Sequence, residues 1–398
     1  LTSGALDEER TTYTVGVPPE LLGDWANLDD VEICWLGNWE VTGKRLQAID
    51  RDTGLVTLRP PHGGSHDAMR PGPGRPCYFE NAREFADAPG EWYLDRATGE
   101  LSYFPRPGGS PDTAVGVLPR LSRLLELRGT AAAPVRNLHV AGLRFEHADW
   151  AFPVCGFNGI QASFYTPDTA DGRGWAWGGW DCIEPALEWW YAEGCSLTDG
   201  ALRHLGGVGI RLRQGCHDNL LEGNLVEEIG ASGIMLGECW TFQPWPDNDL
   251  PAGDVPRDNR IANNLVRRCG TVDHGAVGIW AAFCQGARIE HNQVYDLPYT
   301  GISLGFMWIE TPTCARDNHV VANHVHDVMK VLCDGGCLYT LGFQPDSTIT
   351  GNLFHDAHRS AVAHGAPNNG IFFDQGSKGF HLADNLIYAT SAEPVRFN

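Results

Sequence analysis

The chain has 398 residues, 42% of them hydrophobic, enough for a large core and for one long solenoid or two ordinary domains. Fifty acidic residues stand against 29 basic ones, and a net charge of −21 repels a nucleic-acid backbone or an anionic membrane over most of the surface, so neither is expected as a partner. No stretch reaches the roughly 20 apolar residues of a spanning helix, and the start, Leu1-Thr2-Ser3, has neither Met nor a basic region with an apolar run behind it, which reads as a soluble chain beginning downstream of its native start.

In chain order, residues 1–125 come first. Alternating stretches at 46–49, 56–58 and 91–94, punctuated by Gly and Pro, predict short antiparallel strands and a β-sandwich-like accessory module. The segment 60–76, with four Gly and five Pro, reads as a surface loop.

Residues 126–398 carry a repeat. An Asn recurs with one apolar residue three positions before it and another two after it: Leu221/Asn224/Val226, Ile261/Asn264/Val266, Ile289/Asn292/Val294, Val320/Asn323/Val325, Ile349/Asn352/Phe354 and Leu382/Asn385/Ile387. Weaker copies are read at Leu138/Ala141/Leu143 and Leu197/Gly200/Leu202. The Asn spacings of 40, 28, 31, 29 and 33 lie in the solenoid range. Two apolar residues an odd number apart face one core only if the chain bends between them, so the Asn sits in a bend. Stacked from coil to coil, such amides form a hydrogen-bonded ladder. The expected fold is therefore all-β, a right-handed parallel β-helix with an N-terminal or inserted antiparallel module.

A second element, Gly before Ile at 209, 233, 278, 301 and 370, with Cys337-Leu338 in the equivalent place, leads into a short strand. The shortest steps put a bare coil at about 23 residues, and longer coils carry inserted loops, the largest running from Cys239 to Arg257. Such insertions build the walls of a cleft.

Twelve cysteines without CxxC pairing read as small buried hydrophobes, which favours a reducing compartment with secretion left open. His204, His274, His326 and His355 show no ligand spacing along the chain, so no metal and no cofactor is expected. His274 beside Asp273 and His326 beside Asp327 are read as hydrogen-bonding residues of the cleft.

Two acids break the run of small and apolar residues beside the strands. Asp334 lies in Cys333-Asp334-Gly335-Gly336, before Leu338-Tyr339-Thr340-Leu341-Gly342; Asp374 lies in Phe372-Phe373-Asp374-Gln375-Gly376, one coil later. A carboxyl group among aromatic side chains and glycine backbone is partly desolvated, which raises its pKa and suits it to general-acid work, and paired carboxylates cleave glycosides. A turn cap at Asp334 and a solvated strand end at Asp374 fit the same residues equally well. Relative to the aligned Leu338 and Ile371, the two acids are offset along the strand, which favours the wider inverting spacing. Glu238, after Gly233-Ile234-Met235-Leu236-Gly237, is a reserve acid.

Tyr78-Phe79-Glu80-Asn81, followed by 87–95 (Asp-Ala-Pro-Gly-Glu-Trp-Tyr-Leu-Asp) and 99–105 (Gly-Glu-Leu-Ser-Tyr-Phe-Pro), resembles the accessory region of bacterial right-handed parallel β-helix glycoside hydrolases. The likeness is greatest to glycoside hydrolase family 141, with α-L-fucosidase and xylanase members, and more distant to the family 120 β-xylosidases. It runs from about Tyr78 to the C-terminus. In that family an Asp-Gly-Gly before a strand like this one, and Leu-Asp-Glu-Gly-Ser one coil later, carry the catalytic carboxylates. The resemblance implies that role for Asp334 and Asp374, with Gln375 replacing the usual Glu, and implies an oligo- or polysaccharide substrate.

Tryptophans crowd 175–190 and lie beside coil loops at Trp240, Trp245, Trp280 and Trp308. Sugar faces bury well on an indole, so Trp240 and Trp280 are read as wall residues that hold sugar together with Tyr339 and Gln375, while ordinary packing remains the competing account. The function read from these residues is glycoside hydrolysis. Its alternatives are a polysaccharide lyase, which needs cations that three Lys and a net charge of −21 do not favour, and a non-catalytic carbohydrate-binding β-helix.

Overall fold

The structure, a computed structural model, describes residues 1–7, 12–60, 62, 70–154, 156–166, 180–239 and 250–398. From Leu125–Arg128 onward the chain winds through three parallel sheets. The first has nine strands and ends at Val395–Phe397; the second has eight, from His139–Ala141 to Lys378–Ala383; the third has eight, from Arg144–Ala148 to Leu386–Thr390. Each coil visits them in that order, giving the expected right-handed parallel β-helix.

The repeat maps onto the coils as its spacing demands. Leu221, Ile261, Ile289, Val320, Ile349 and Leu382 stand in register in the second sheet, and Val226, Val266, Val294, Val325, Phe354 and Ile387 in the third. The Asn residues bend the chain between the two sheets. Asn264 shows the pattern: its Nδ2 donates to Oδ1 of Asn292 at 3.0 Å and to the Leu221 carbonyl at 3.0 Å, while its Oδ1 accepts from Nδ2 and the backbone N–H of Asn224. The chain of amides continues through Asn323 and Asn352 to Asn385. Every polar atom of a buried amide is thus satisfied by the coils above and below.

The weak copy at Leu138/Ala141/Leu143 is off by two positions. Val140 pairs with Leu197 and Phe145 with Leu202, leaving Leu138 and Leu143 exposed. A slip of two keeps the inward parity, so apolar pattern alone does not reveal it. A second buried ladder, five residues before the first, went unread: Asn219 donates to Asn259 Oδ1 at 2.9 Å, and Asn318 fills the place in a later coil.

The N-terminal residues form a separate antiparallel module with its own core around Val15, Ile33, Trp35, Leu46 and Val56. Residues 126–398 were expected to belong wholly to the helix. Instead Gly156–Gly159 pairs with Val41–Asp50, and Phe164–Thr166 and Asp181–Cys182 extend that same antiparallel sheet, so the module takes strands from a loop thrown out by the first coil. Much of the 60–76 loop lies outside the described residues.

Candidate active site

The outward residues of the first sheet make one continuous row. Arg211, Met235, Trp280, Ser303, Tyr339, Phe372 and Arg396 stand side by side, alternating with the inward Ile and Leu positions of each strand. The loop strands of the antiparallel module cover part of this row. Asp334 precedes the strand Gly336–Thr340, and Asp374 follows the strand Asn369–Phe373 on the next coil.

Asp334 has φ +64, and Gly336 follows in a place where a Cβ would come 2.3 Å from the Asn369 carbonyl oxygen. This bend turns the Asp334 side chain back over the sheet. Its carboxyl is pushed up to about 6, first by burial and then by the Asp374 charge, with Arg396 pulling it down. Arg396 Nη1 lies 3.7 Å from Asp334 Oδ1 and its guanidinium stacks 4.3 Å above the Phe372 ring. Asp374, 9% exposed, accepts from the Tyr339 hydroxyl at 2.5 Å on one oxygen and from Asn398 Nδ2 at 2.6 Å on the other. The Asp334 backbone is anchored as well: Gln161 Nε2 donates to the Tyr299 hydroxyl at 2.6 Å, which donates to the Asp334 carbonyl at 3.1 Å. Gln161 lies between the module strands Gly156–Gly159 and Phe164–Thr166, so the covering sheet helps to fix the acid.

Asp334, Asp374 and Tyr339 therefore share one neighbourhood, and Gln375 is exposed in the turn directly after Asp374. The other expected residues lie elsewhere. Trp280 is fully buried against Phe164 and Phe306, with ring centroids 5.2 and 5.5 Å away, so it cannot hold a sugar; the module strand Phe164–Thr166 covers the outward side that the sequence left open. Glu238 is buried in an ion-pair cluster, with Arg213 Nε at 2.6 Å, Arg211 Nη2 at 3.1 Å and the Gln214 N–H at 3.1 Å. Burial works to raise its pKa, but the two guanidinium groups outweigh burial and hold it below the usual carboxylate range, which unfits it as a proton donor.

His274 sits where the module meets the helix, its Nδ1 3.0 Å from the Gly270 carbonyl and its Nε2 3.4 Å from the Tyr78 hydroxyl; burial lowers its pKa. Beside it Asp273 is pushed up to about 7 by burial, against hydrogen bonds from Gly275 and Ser163. His326 faces outward on the third sheet, not on the first. Trp240 lies outside the described residues, as do Trp175, Trp177 and Trp245.

Arg396, Asn398 and Tyr299 were missed. Arg396 was within reach of sequence reading: Val395 falls 24 positions after Ile371, one bare coil, and pairs with it. Tyr299 and Asn398 lie outside the repeated positions and carry no periodic signal.

Three stacked parallel sheets and an Asn ladder define the class. The chain belongs to the family described as right handed beta helix region, whose match spans residues 186–387, just over half of it. No curated protein matches the sequence. Among solved structures, one described as a glycoside hydrolase superposes with a TM-score of 0.80 at 22% identity, covering 99% of this chain and 74% of its own, a likeness of fold that takes in the antiparallel module. The complex structure of XylC with xylose follows at TM-score 0.40 and 10% identity, over 96% of this chain and 57% of that one. The Azotobacter vinelandii mannuronan C-5 epimerase AlgE4 A-module has TM-score 0.38 and 14% identity, over 54% and 52%.

Proposed function

We propose that the protein is a glycoside hydrolase acting on plant or microbial polysaccharide of fucoside or xylan type, with Asp334 as general acid and Asp374 as base or nucleophile. The observation that carries this reading is the Asp334 carboxyl, pushed up to about 6 by burial and by its partner Asp374 on the adjacent coil. An acid of that strength keeps its proton at mildly acidic pH and can deliver it to the leaving glycosidic oxygen. Asp374, held by Tyr339 and Asn398, then acts on the anomeric side. Tyr339 is a positioning residue for Asp374, and exposed Gln375 is available to bond a sugar hydroxyl. The motif resemblance to family 141 and the shared fold with a glycoside hydrolase support the same reading.

The test is a screen of aryl glycosides and polysaccharides with wild type, Asp334→Asn and Asp374→Asn. Both variants are expected to lose about 10²- to 10⁴-fold in kcat while keeping the wild-type circular dichroism. Undiminished turnover in either removes that residue from the mechanism. Proton NMR of the first product anomer, expected to be inverted, reads the stereochemistry directly. Sugar binding by wild type with no reducing ends released would instead fit a carbohydrate-binding β-helix.

A further inference from the structure

His355 lies far from His324 and His326 along the chain, but coil stacking brings the three together. His324 and His326 flank the inward Val325 and so point outward together from the third sheet, and His355 stands beside His326 because Val325 pairs with Phe354. One ring nitrogen from each of the three lies within 4.8 Å of the others. The Nε2 atoms of His324 and His355 approach to 2.7 Å.

The surroundings fix the tautomers. Nδ1 of His326 lies 2.8 Å from Asp327 Oδ2, and Nδ1 of His355 lies 2.7 Å from Asp356 Oδ2. A carboxylate only accepts, so each Nδ1 carries the proton and each Nε2 presents a lone pair. Asp327 and Asp356 occupy the same left-handed bend in successive coils, with φ +50 and +51, which turns each carboxylate back onto the preceding ring. Nearly parallel rings of Tyr295, His326, His355 and Tyr388 stack at 4.8, 5.0 and 4.8 Å and hold the two imidazoles upright. Gln293 Nε2 lies 3.2 Å from His326 Nε2, and His358 Nε2 lies 3.1 Å from the other oxygen of Asp327.

We propose that His324, His326 and His355 form a zinc-class metal site on the outer face of the third sheet, binding through their Nε2 atoms with the fourth position left to water, and with Asp327 and Asp356 orienting two of the rings. A Zn–N distance of about 2.0–2.1 Å sets the ligand nitrogens about 3.3 Å apart, so the ion spreads the His324/His355 pair and draws His326 in. His326 and His355 are 14% and 13% exposed and their rings lie nearly parallel, so binding must tilt them toward one ion. Three imidazoles, two of them backed by carboxylates, are the donor set that suits a borderline divalent ion over calcium or magnesium. The site is independent of the hydrolase reading, since the proposed catalytic acids belong to the first sheet.

The test uses the untagged full chain, stripped with a chelator and titrated with Zn²⁺ by calorimetry and with Co²⁺ by visible absorption. One ion per chain and the intense visible bands of a four-coordinate Co²⁺ centre are expected. His355→Ala and His324→Ala should weaken binding at least about 100-fold, and Asp356→Asn by about 10- to 100-fold. Binding well below one ion per chain, or a full-strength Co²⁺ spectrum in His355→Ala, overturns the proposal. Should His355→Ala fail to fold by circular dichroism, the stoichiometry and spectrum of wild type against Asp356→Asn decide it: a spectrum and affinity unchanged by Asp356→Asn count against the site.

Discussion

Two carboxyl clusters sit on the same sheet of the same cylinder, and they are opposite in kind. Glu238 lies between Arg211 and Arg213, with Arg213 also reaching Glu188 at 3.2 Å, so its charge is matched and its carboxylate is held below the usual range. Asp334 faces another acid and, among the described residues, a single guanidinium at 3.7 Å, and its carboxyl is pushed up to about 6. Burial is common to both and pushes both upward; what differs is the local count of guanidinium groups. A buried acid on this groove holds its proton above the usual carboxylate range only where the fold leaves its charge incompletely matched. A saturated cluster is a fastener.

The strongest way to break this comparison is at the fastener. Glu238→Gln leaves Arg211, almost fully buried, without its counter-charge, and removing one partner of a buried pair costs about 3–5 kcal/mol. Urea unfolding should show that loss, while turnover per folded molecule stays near wild type. A stable Glu238→Gln with abolished turnover would invert the assignment and make Glu238 the acid.

A smaller effect is expected where module and helix meet. Asp273 is raised from 3.8 to about 7 and Glu40, fully buried, is raised well above 4.5, by burial first, with Asp273 adding to it. For an acid raised on folding, the unfolded chain releases its proton first. The stabilising contribution is therefore complete below pH about 4 and is lost as pH rises through about 7. Asp273→Asn should gain on wild type by up to a few kcal/mol between pH 4 and 8, read as a difference in thermal midpoint that vanishes at pH 4. A pH-independent difference would mean that Asp273 stays ionised in the folded state.

How much of this was legible in sequence depends on whether a residue's partners lie one coil away. The Asn of the ladder meets the same amide above and below, so one position tolerates little else, and six copies stand out in the sequence. The proximity of Asp334 and Asp374 was legible because each sits beside a repeated strand of adjacent coils. The burial of Trp280 was hidden: its outward parity is correct, but its cover comes from Phe164, more than a hundred residues earlier, on a strand too short to show a period. The histidine triad was hidden for a different reason. His324 and His326 share one strand, but His355 joins them only through coil register, 29 to 31 positions further along the chain, the spacing that marks the Asn ladder, and reading for helical ligand motifs looked along the wrong direction.

The smallest expected effect comes from removing the guanidinium beside Asp334. Arg396 lowers the Asp334 pKa, so Arg396→Gln should raise it above its present value of about 6. Both side chains are about a quarter exposed at 3.7 Å, so solvent screens the interaction and the shift should be about one unit, the low end for an opposite charge at close range. If Asp334 is the general acid, activity falls as its proton leaves, and the alkaline limb of the kcat/KM profile should move to higher pH by that unit. The acidic limb, set by the partner that must be ionised, should move less. An alkaline limb that stays in place while the acidic limb shifts would exchange the roles of Asp334 and Asp374. Neither limb moving would count against Asp334 as the group that sets the alkaline limb.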